Sequence, residues 1–290
     1  MLTTLKDILG HARTYQYAVP AFDCVEDVMF RAILETAEAH QAPVILMCLM
    51  PDLQGNGMVY LPQLIRLAAE HHRVPVALHL DHAAHLDEIK AAVDNGFTSV
   101  MIDGSQLPFE ENVRVTKEAV DVARPHGISV EGELGHVGGI NVEATQSAES
   151  VLTKPDEVAR FVEETGVDAL AVSIGTSHGV YQSLPNLSID RLRELNASSP
   201  VPLVLHGGSG TPAGQIQESV RNGICKLNIY ADCRVAMGRG LRQAVADLSR
   251  EDPVPGQVFG PIKNGVCDVV AEKIQLLFTE NRAWTTGAVA

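Results

Sequence analysis

Apolar and polar residues alternate in blocks along this 290-residue chain. Short apolar runs rich in β-branched residues are each followed by a polar residue or a glycine, then by a stretch of helical period. Eight such runs occur: AVPAF (18–22), PVILMCL (43–49), VPVALHL (74–80), FTSVMI (97–102), ISVEGEL (128–134), DALAVSI (168–174), VPLVLH (201–206) and ICKLNI (224–229). Between them lie DVMFRAILETAEAH, HLDEIKAAVDN, PDEVARFVEET and PAGQIQESVRN, which read as helices. Strands alternating with helices predict parallel βαβ units. Eight units predict an α/β fold closed as a (β/α)8 TIM barrel, a single domain over 1–290. A helix over about 4–16 is expected to plug the barrel bottom, with Thr4 and Asp7 as a capping box in which Asp stands for Glu. Residues 232–250 read as the eighth helix and the Gly- and Pro-rich 256–266 as a turn. An extra C-terminal helix is expected over about 267–281, before a loose tail.

Composition narrows the class. Hydrophobic residues make up 46% but aromatics only 4%, which suits closely packed helix-on-strand layers. Against 22 Lys and Arg stand 36 Asp and Glu, a net charge of −14 that disfavours nucleic acid and anionic membranes as partners. A phosphorylated ligand stays compatible, because backbone N–H groups at helix N-termini hold phosphate without lysines. The first residues, MLTTLKDILGHARTYQ, carry charges and lack a signal-peptide apolar core, and no run is long enough to span a membrane. Five widely spaced cysteines (24, 48, 225, 233 and 267) without a C-x-x-C pair suit a reduced, cytoplasmic compartment.

The reactive residues fall at the C-terminal ends of the predicted strands, the face where barrels of this class place their chemistry. Asp23 follows strand 1, Asp81 and His82 strand 3, and Asp103 strand 4. Glu131 and Glu133 lie on strand 5, His178 follows strand 6, His206 ends strand 7 and Asn228 lies in strand 8. A lone histidine is more often a core or surface residue than a ligand. Three of them, His82, His178 and His206, at three strand ends and with carboxylates beside them, suggest a catalytic zinc site with an open position. His79 shares strand parity with Asp81 and is given no role, and His85 and His136 stay ambiguous. HGGSG (206–210) leads into a helix, so its glycines let backbone N–H groups approach an anion; KLNIYAD (226–232), with Ile229, Tyr230 and Ala231, supplies the loop after strand 8. Asp81 reads either as a general acid/base or as a partner that orients a histidine. Adjacent strand residues point in different directions, so Asp81 is not expected to share the role of His82.

LHLDHA (78–83), SVMIDGS (99–105), VEGELGHVGG (130–139), IGTSHGVY (174–181), LHGGSG (205–210) and KLNI (226–229), in order and at barrel spacing, resemble the class II fructose-bisphosphate and tagatose-bisphosphate aldolases over almost the whole chain. The resemblance implies retro-aldol cleavage of a phosphorylated ketose to dihydroxyacetone phosphate and an aldehyde, through a zinc-bound enediolate. It implies His82, His178 and His206 as zinc ligands, Asp81 as the acid/base at the aldehyde-side hydroxyl, and Asp103 and Glu133 as an alternative buried metal position. Gly179, Gly207, Gly208, Ser209 and Asn228 match the groups that hold dihydroxyacetone phosphate, and the Gly179–Gly207 region a site for Na+ or K+. A homodimer or homotetramer is implied. Four positions depart from the family pattern: Asp23 stands for Asn, Leu49 for Ser or Thr, and Ala231 for a phosphate-binding Thr, while Asn141 stands for the mobile-loop acid, with Glu143 as its candidate replacement. A metal-dependent phosphosugar epimerase or isomerase using the same enediolate, and a non-catalytic partner subunit, are the competing readings.

Overall fold

The computed structural model describes residues 1–139, 150–179 and 184–284. Eight parallel strands close into a barrel in chain order. They are β1 (Val19–Asp23), β2 (Val44–Leu49), β3 (Val76–Ala83), β4 (Ser99–Ile102), β5 (Ser129–Leu134), β6 (Ala169–Val172), β7 (Leu203–Leu205) and β8 (Ile224–Ile229). β8 pairs back onto β1 through Val19↔Lys226 and Ala21↔Asn228. Helix α1 (Leu5–Tyr15) precedes the barrel. After the successive strands come α2 (Asp27–Ala39), α3 (Gly57–Glu70), α4 (Leu86–Asp94), α5 (Phe109–Ala123), α6 (Pro155–Thr165), α7 (Ile189–Ser198), α8 (Ala213–Arg221) and α9 (Ala231–Asp247), and α10 (Pro255–Leu276) closes the series. The predicted (β/α)8 architecture is the one observed.

Strand alternation divides the barrel into two cores. Outward residues such as Phe22, Leu46, Leu78, Val130, Leu170 and Leu227 pack under the helices. Inward residues of the lower half, among them Val19, Ala21, Ile45, Met47, Ala77 and Val204, meet Leu5, Ile8, Leu9 and Ala12 of α1. The plug helix thus buries its apolar stripe in the barrel floor, each large side chain contributing about 1.5–3 kcal/mol. Its cap is half of a capping box. Thr4 Oγ1 accepts from the Asp7 N–H at 3.1 Å, and Asp7 answers the hydroxyl at 2.7 Å instead of the Thr4 backbone.

Two local predictions need correction. The stretch 256–266 is helical, not a turn, because α10 begins at Pro255 and runs through Pro261. One of its glycines, Gly265, serves packing together with Gly240 of α9. A Cβ on Gly240 of α9 would stand 2.6 Å from Ile262 Cα, and one on Gly265 of α10 3.2 Å from the Ala236 carbonyl. Those glycines are crossing points of two helices. The second correction concerns β3, which runs on through Asp81 and His82 instead of ending before them. The β3–β4 register slips between Leu80 and Ala83, and His82 sits at φ +48°. No helix among the described residues is long and apolar enough to cross a membrane.

Candidate active site

The irregularity in β3 builds the site. Regular alternation would send Asp81 inward and His82 out to the helices. The bulge at this strand end, with His82 in the left-handed region, turns both side chains to the barrel mouth, and His82 Nε2 lies 3.9 Å from Asp81 Oδ2. Backbone geometry, not strand alternation, therefore makes the two side chains neighbours at the mouth. A non-glycine residue held at such a φ costs about 1–3 kcal/mol and persists where the surroundings impose it.

His206, directly after β7, brings Nδ1 to 3.0 Å from His82 Nε2. His178 follows the end of β6 and is held by its N–H, which donates to the Gly138 carbonyl at 2.8 Å. Its ring lies 5.1 Å from that of His82, edge to face. The three histidines offer nitrogens all within 4.8 Å of one another, and His82, Asp103 and Glu133 form a second such group. Asp103 Oδ2 lies 3.0 Å from His82 Nδ1, while Oδ1 accepts from the Ser105 N–H. Glu133 accepts from the Val137 N–H at 3.3 Å through Oε1.

Charge in this cluster is unevenly placed. Burial opposes a charge on His82, but Asp81, the hydrogen bond to Asp103 and Glu133 together push its pKa up to about 10. Asp103, despite burial, is held well below the usual carboxylate range by His82 and Ser105. Burial, then Asp103 beside it, pushes Glu133 up. Burial, then the His82 charge, pushes His178 and His206 down. The donor set fits a divalent metal: imidazoles and carboxylates converge, and several of their atoms lack partners. Neither ring nitrogen of His178 nor Glu133 Oε2 makes a hydrogen bond among the described residues. A buried polar atom left unpaired costs about 1–3 kcal/mol, which a coordinated ion would relieve.

Beside the histidines lies a small cleft lined by Asp23, Asp81, His178, Gly179, Gly207, Gly208, Ser209, Asn228, Tyr230 and Ala231. Asn228 Nδ2 donates to both Asp81 oxygens at 3.1 Å. Gly207 has φ +70°, and a Cβ there would stand 2.6 Å from the Ser177 carbonyl, so only glycine fits this turn. Ser209 Oγ accepts from the Asp232 N–H at 3.2 Å, which sets the glycine-rich loop against the first turn of α9. Asp232 is in turn ion-paired with the buried Lys273 of α10 at 2.8 Å. The glycine-rich loop and the start of α9 thus meet at the cleft, where a helix N-terminus favours an anion.

Most of the predicted substrate residues meet in this one cleft. Ile229 does not: its side chain is buried in the layer between strands and helices, as is that of Leu49. Glu143 and Asn141 lie outside the described residues. Three fully buried polar residues lie beneath the site: His79 and Glu131, which the sequence placed on their strands without a role, and Lys226, which it did not single out. Their signal was strand parity: each sits two positions before a residue of the site, Asp81, Glu133 and Asn228 respectively.

A barrel that presents a histidine cluster, a cleft carboxylate and a glycine-rich loop set against a helix start on one face has the construction of an enzyme. The family is set by comparison: residues 3–282 match the model for "Fructose-bisphosphate aldolase class-II", and the chain belongs to that family. It is an aldolase, a lyase. It is 38% identical over 300 residues to a fructose-bisphosphate aldolase of Giardia intestinalis, covering 94% of this chain and 92% of the relative. It is 37% identical over 281 residues to a sulfofructosephosphate aldolase of Alkalicoccus urumqiensis, covering 97% of this chain and 98% of the relative. Among solved structures, the YdjI aldolase of Escherichia coli K12 superposes with a TM-score of 0.87 at 32% identity, over 98% of this chain and 100% of that one.

Proposed function

We propose that this aldolase reversibly cleaves a phosphorylated ketose, of the ketose 1-phosphate or 1,6-bisphosphate type, to dihydroxyacetone phosphate and an aldehyde, with zinc as its metal. The observation that carries the reading is that His178 and Asp81 share one cleft wall with Gly207, Gly208 and Ser209. His82, His178 and His206 would hold the ion, with Asp103 and Glu133 as an alternative position that also uses His82. A bound zinc ion supplies Lewis-acid stabilisation of the negative charge that develops as the carbon–carbon bond breaks.

The remaining chemistry belongs to the chain. Asp81, aligned by Asn228, takes or returns the proton of the aldehyde-side hydroxyl through a carboxylate oxygen. The loop amides, the Ser209 hydroxyl and the start of α9 hold the phosphate. Glu143 removes the proton alpha to the carbonyl. A Na+ or K+ ion against Gly179 and Gly207, a homodimeric or homotetrameric assembly and a cytoplasmic location go with this reading by family resemblance.

The test is hydrogen exchange at the donor carbon. Dihydroxyacetone phosphate in D2O should lose its C3 proton signal by NMR in the presence of the protein, stop doing so with a chelator, and resume with zinc. No exchange in a zinc-loaded sample would refute the donor assignment.

A further inference from the structure

Beneath the histidine cluster the barrel encloses a charged pair that the cleavage reaction does not use. Lys226 of β8 and Glu131 of β5 are both fully buried, and Lys226 Nζ lies 2.9 Å from Glu131 Oε2. The other carboxylate oxygen, Oε1, lies 2.9 Å from His206 Nε2. His206 Nδ1 faces the opposite way, 3.0 Å from His82 Nε2 and 3.5 Å from Glu133 Oε2. Lys226 is fully buried, and its amine is taken up by Glu131.

A buried ion pair is a poor source of stability, because desolvation offsets most of the attraction. Its geometry, however, dictates the state of the histidine above it. An ionised carboxylate only accepts hydrogen bonds, so the contact to Glu131 places the His206 proton on Nε2. The lone pair of the neutral ring is then on Nδ1, facing the other histidines. Lys226, with three donors and no acceptor, gives Glu131 its counter-charge and holds its second oxygen away from the ring.

We propose that Glu131 and Lys226 are positioning residues: Lys226 anchors Glu131, and Glu131 locks His206 as the Nε2–H tautomer so that Nδ1 is presented as a metal ligand. The proposal rests on the three-histidine metal reading. Hydrogen-bond partners of metal-bound histidines are worth roughly 10–100-fold in metal affinity.

The pair gives a test that a merely structural role would not pass. In Glu131→Gln, Lys226 can be satisfied only by the amide oxygen, which turns the NH2 group toward His206 Nε2. That nitrogen must then accept, and the ring proton moves to Nδ1, against the metal position. Adding Lys226→Met frees the amide to rotate and accept from Nε2 again. Metal-free protein labelled with 15N-histidine should show the Nε2–H tautomer of His206 by two-bond proton–nitrogen correlation in the native chain. It should show Nδ1–H in Glu131→Gln and Nε2–H once more in the double variant. Co2+ affinity, read from its visible absorption, should fall about 10–100-fold in Glu131→Gln and return to within about tenfold of native in the double variant.

If Glu131→Gln does not fold, Glu131→Leu with Lys226→Met removes both charges and leaves Nε2 without an acceptor. That variant should unfold at a temperature close to native yet bind Co2+ 10–100-fold more weakly. Native tautomer and native Co2+ affinity in Glu131→Gln, or native affinity in the Leu/Met variant, would overturn the proposal. A native chain that binds no Co2+ would instead refute the metal reading beneath it.

Discussion

Replacing Asp81 by Asn separates the two halves of the reaction. The side chains have the same shape, and Asn228 Nδ2, now 3.1 Å from both oxygens, can still donate to the remaining one. What is lost is the proton-carrying oxygen and the negative charge 3.9 Å from His82 Nε2. General acid–base catalysis is worth about 10²–10⁴-fold, or about 2.7–5.4 kcal/mol of barrier at 1.36 kcal/mol per tenfold. Cleavage of the ketose by Asp81→Asn should therefore fall by that factor, measured by coupled assay on protein of verified metal content. Exchange of the donor proton of dihydroxyacetone phosphate in D2O should stay within about fivefold of native, since that proton belongs to another base. Cleavage within threefold of native, or exchange lost in step with cleavage while metal content holds, would refute the assignment of Asp81 to the aldehyde side.

Three other substitutions probe the rest of the cleft. Gly207→Ala forces a Cβ to 2.6 Å from the Ser177 carbonyl at φ +70°, a strain of about 1–3 kcal/mol, so thermal stability should fall and dihydroxyacetone phosphate should bind at least about tenfold more weakly by calorimetry. Ala231→Thr adds a hydroxyl on the cleft wall at the first turn of α9; one new hydrogen bond to the charged phosphate, about 1.5–3 kcal/mol, should tighten the same ligand about 10–150-fold. Glu143→Gln should slow donor-proton exchange by about 10²-fold with metal affinity unchanged, and unaltered exchange would direct the search to another base.

The barrel was legible because each strand carries an apolar run and each helix a 3.6-residue stripe, two signals that need no tertiary information. His82, His178, His206 and Asp81 were legible because chemistry at strand ends concentrates unusual residues there. What escaped notice depended on three-dimensional neighbours. Gly265 looks like a turn residue until α10 is found crossing α9 at this glycine and at Gly240. The outward or inward sense of His82 hangs on a one-residue bulge with no marker in the local sequence. Lys226 sits in the apolar run ICKLNI, where a buried lysine has meaning only once Glu131 is seen across the barrel. Ile229 was drawn into the substrate group by its neighbours in KLNIYAD, although strand alternation turns it away from the cleft.

The ion pair between Lys273 and Asp232 gives the C-terminal helix a reach beyond its own packing. Asp232 is also the residue whose N–H holds Ser209, so α10, α9 and the glycine-rich loop form one mechanical chain that ends at the cleft. A helix that looks like an appendage to the eightfold pattern therefore braces the outer side of the cleft. Loosening that one ion pair, with the apolar packing of α10 kept, would be felt first at Ser209 in the glycine-rich loop.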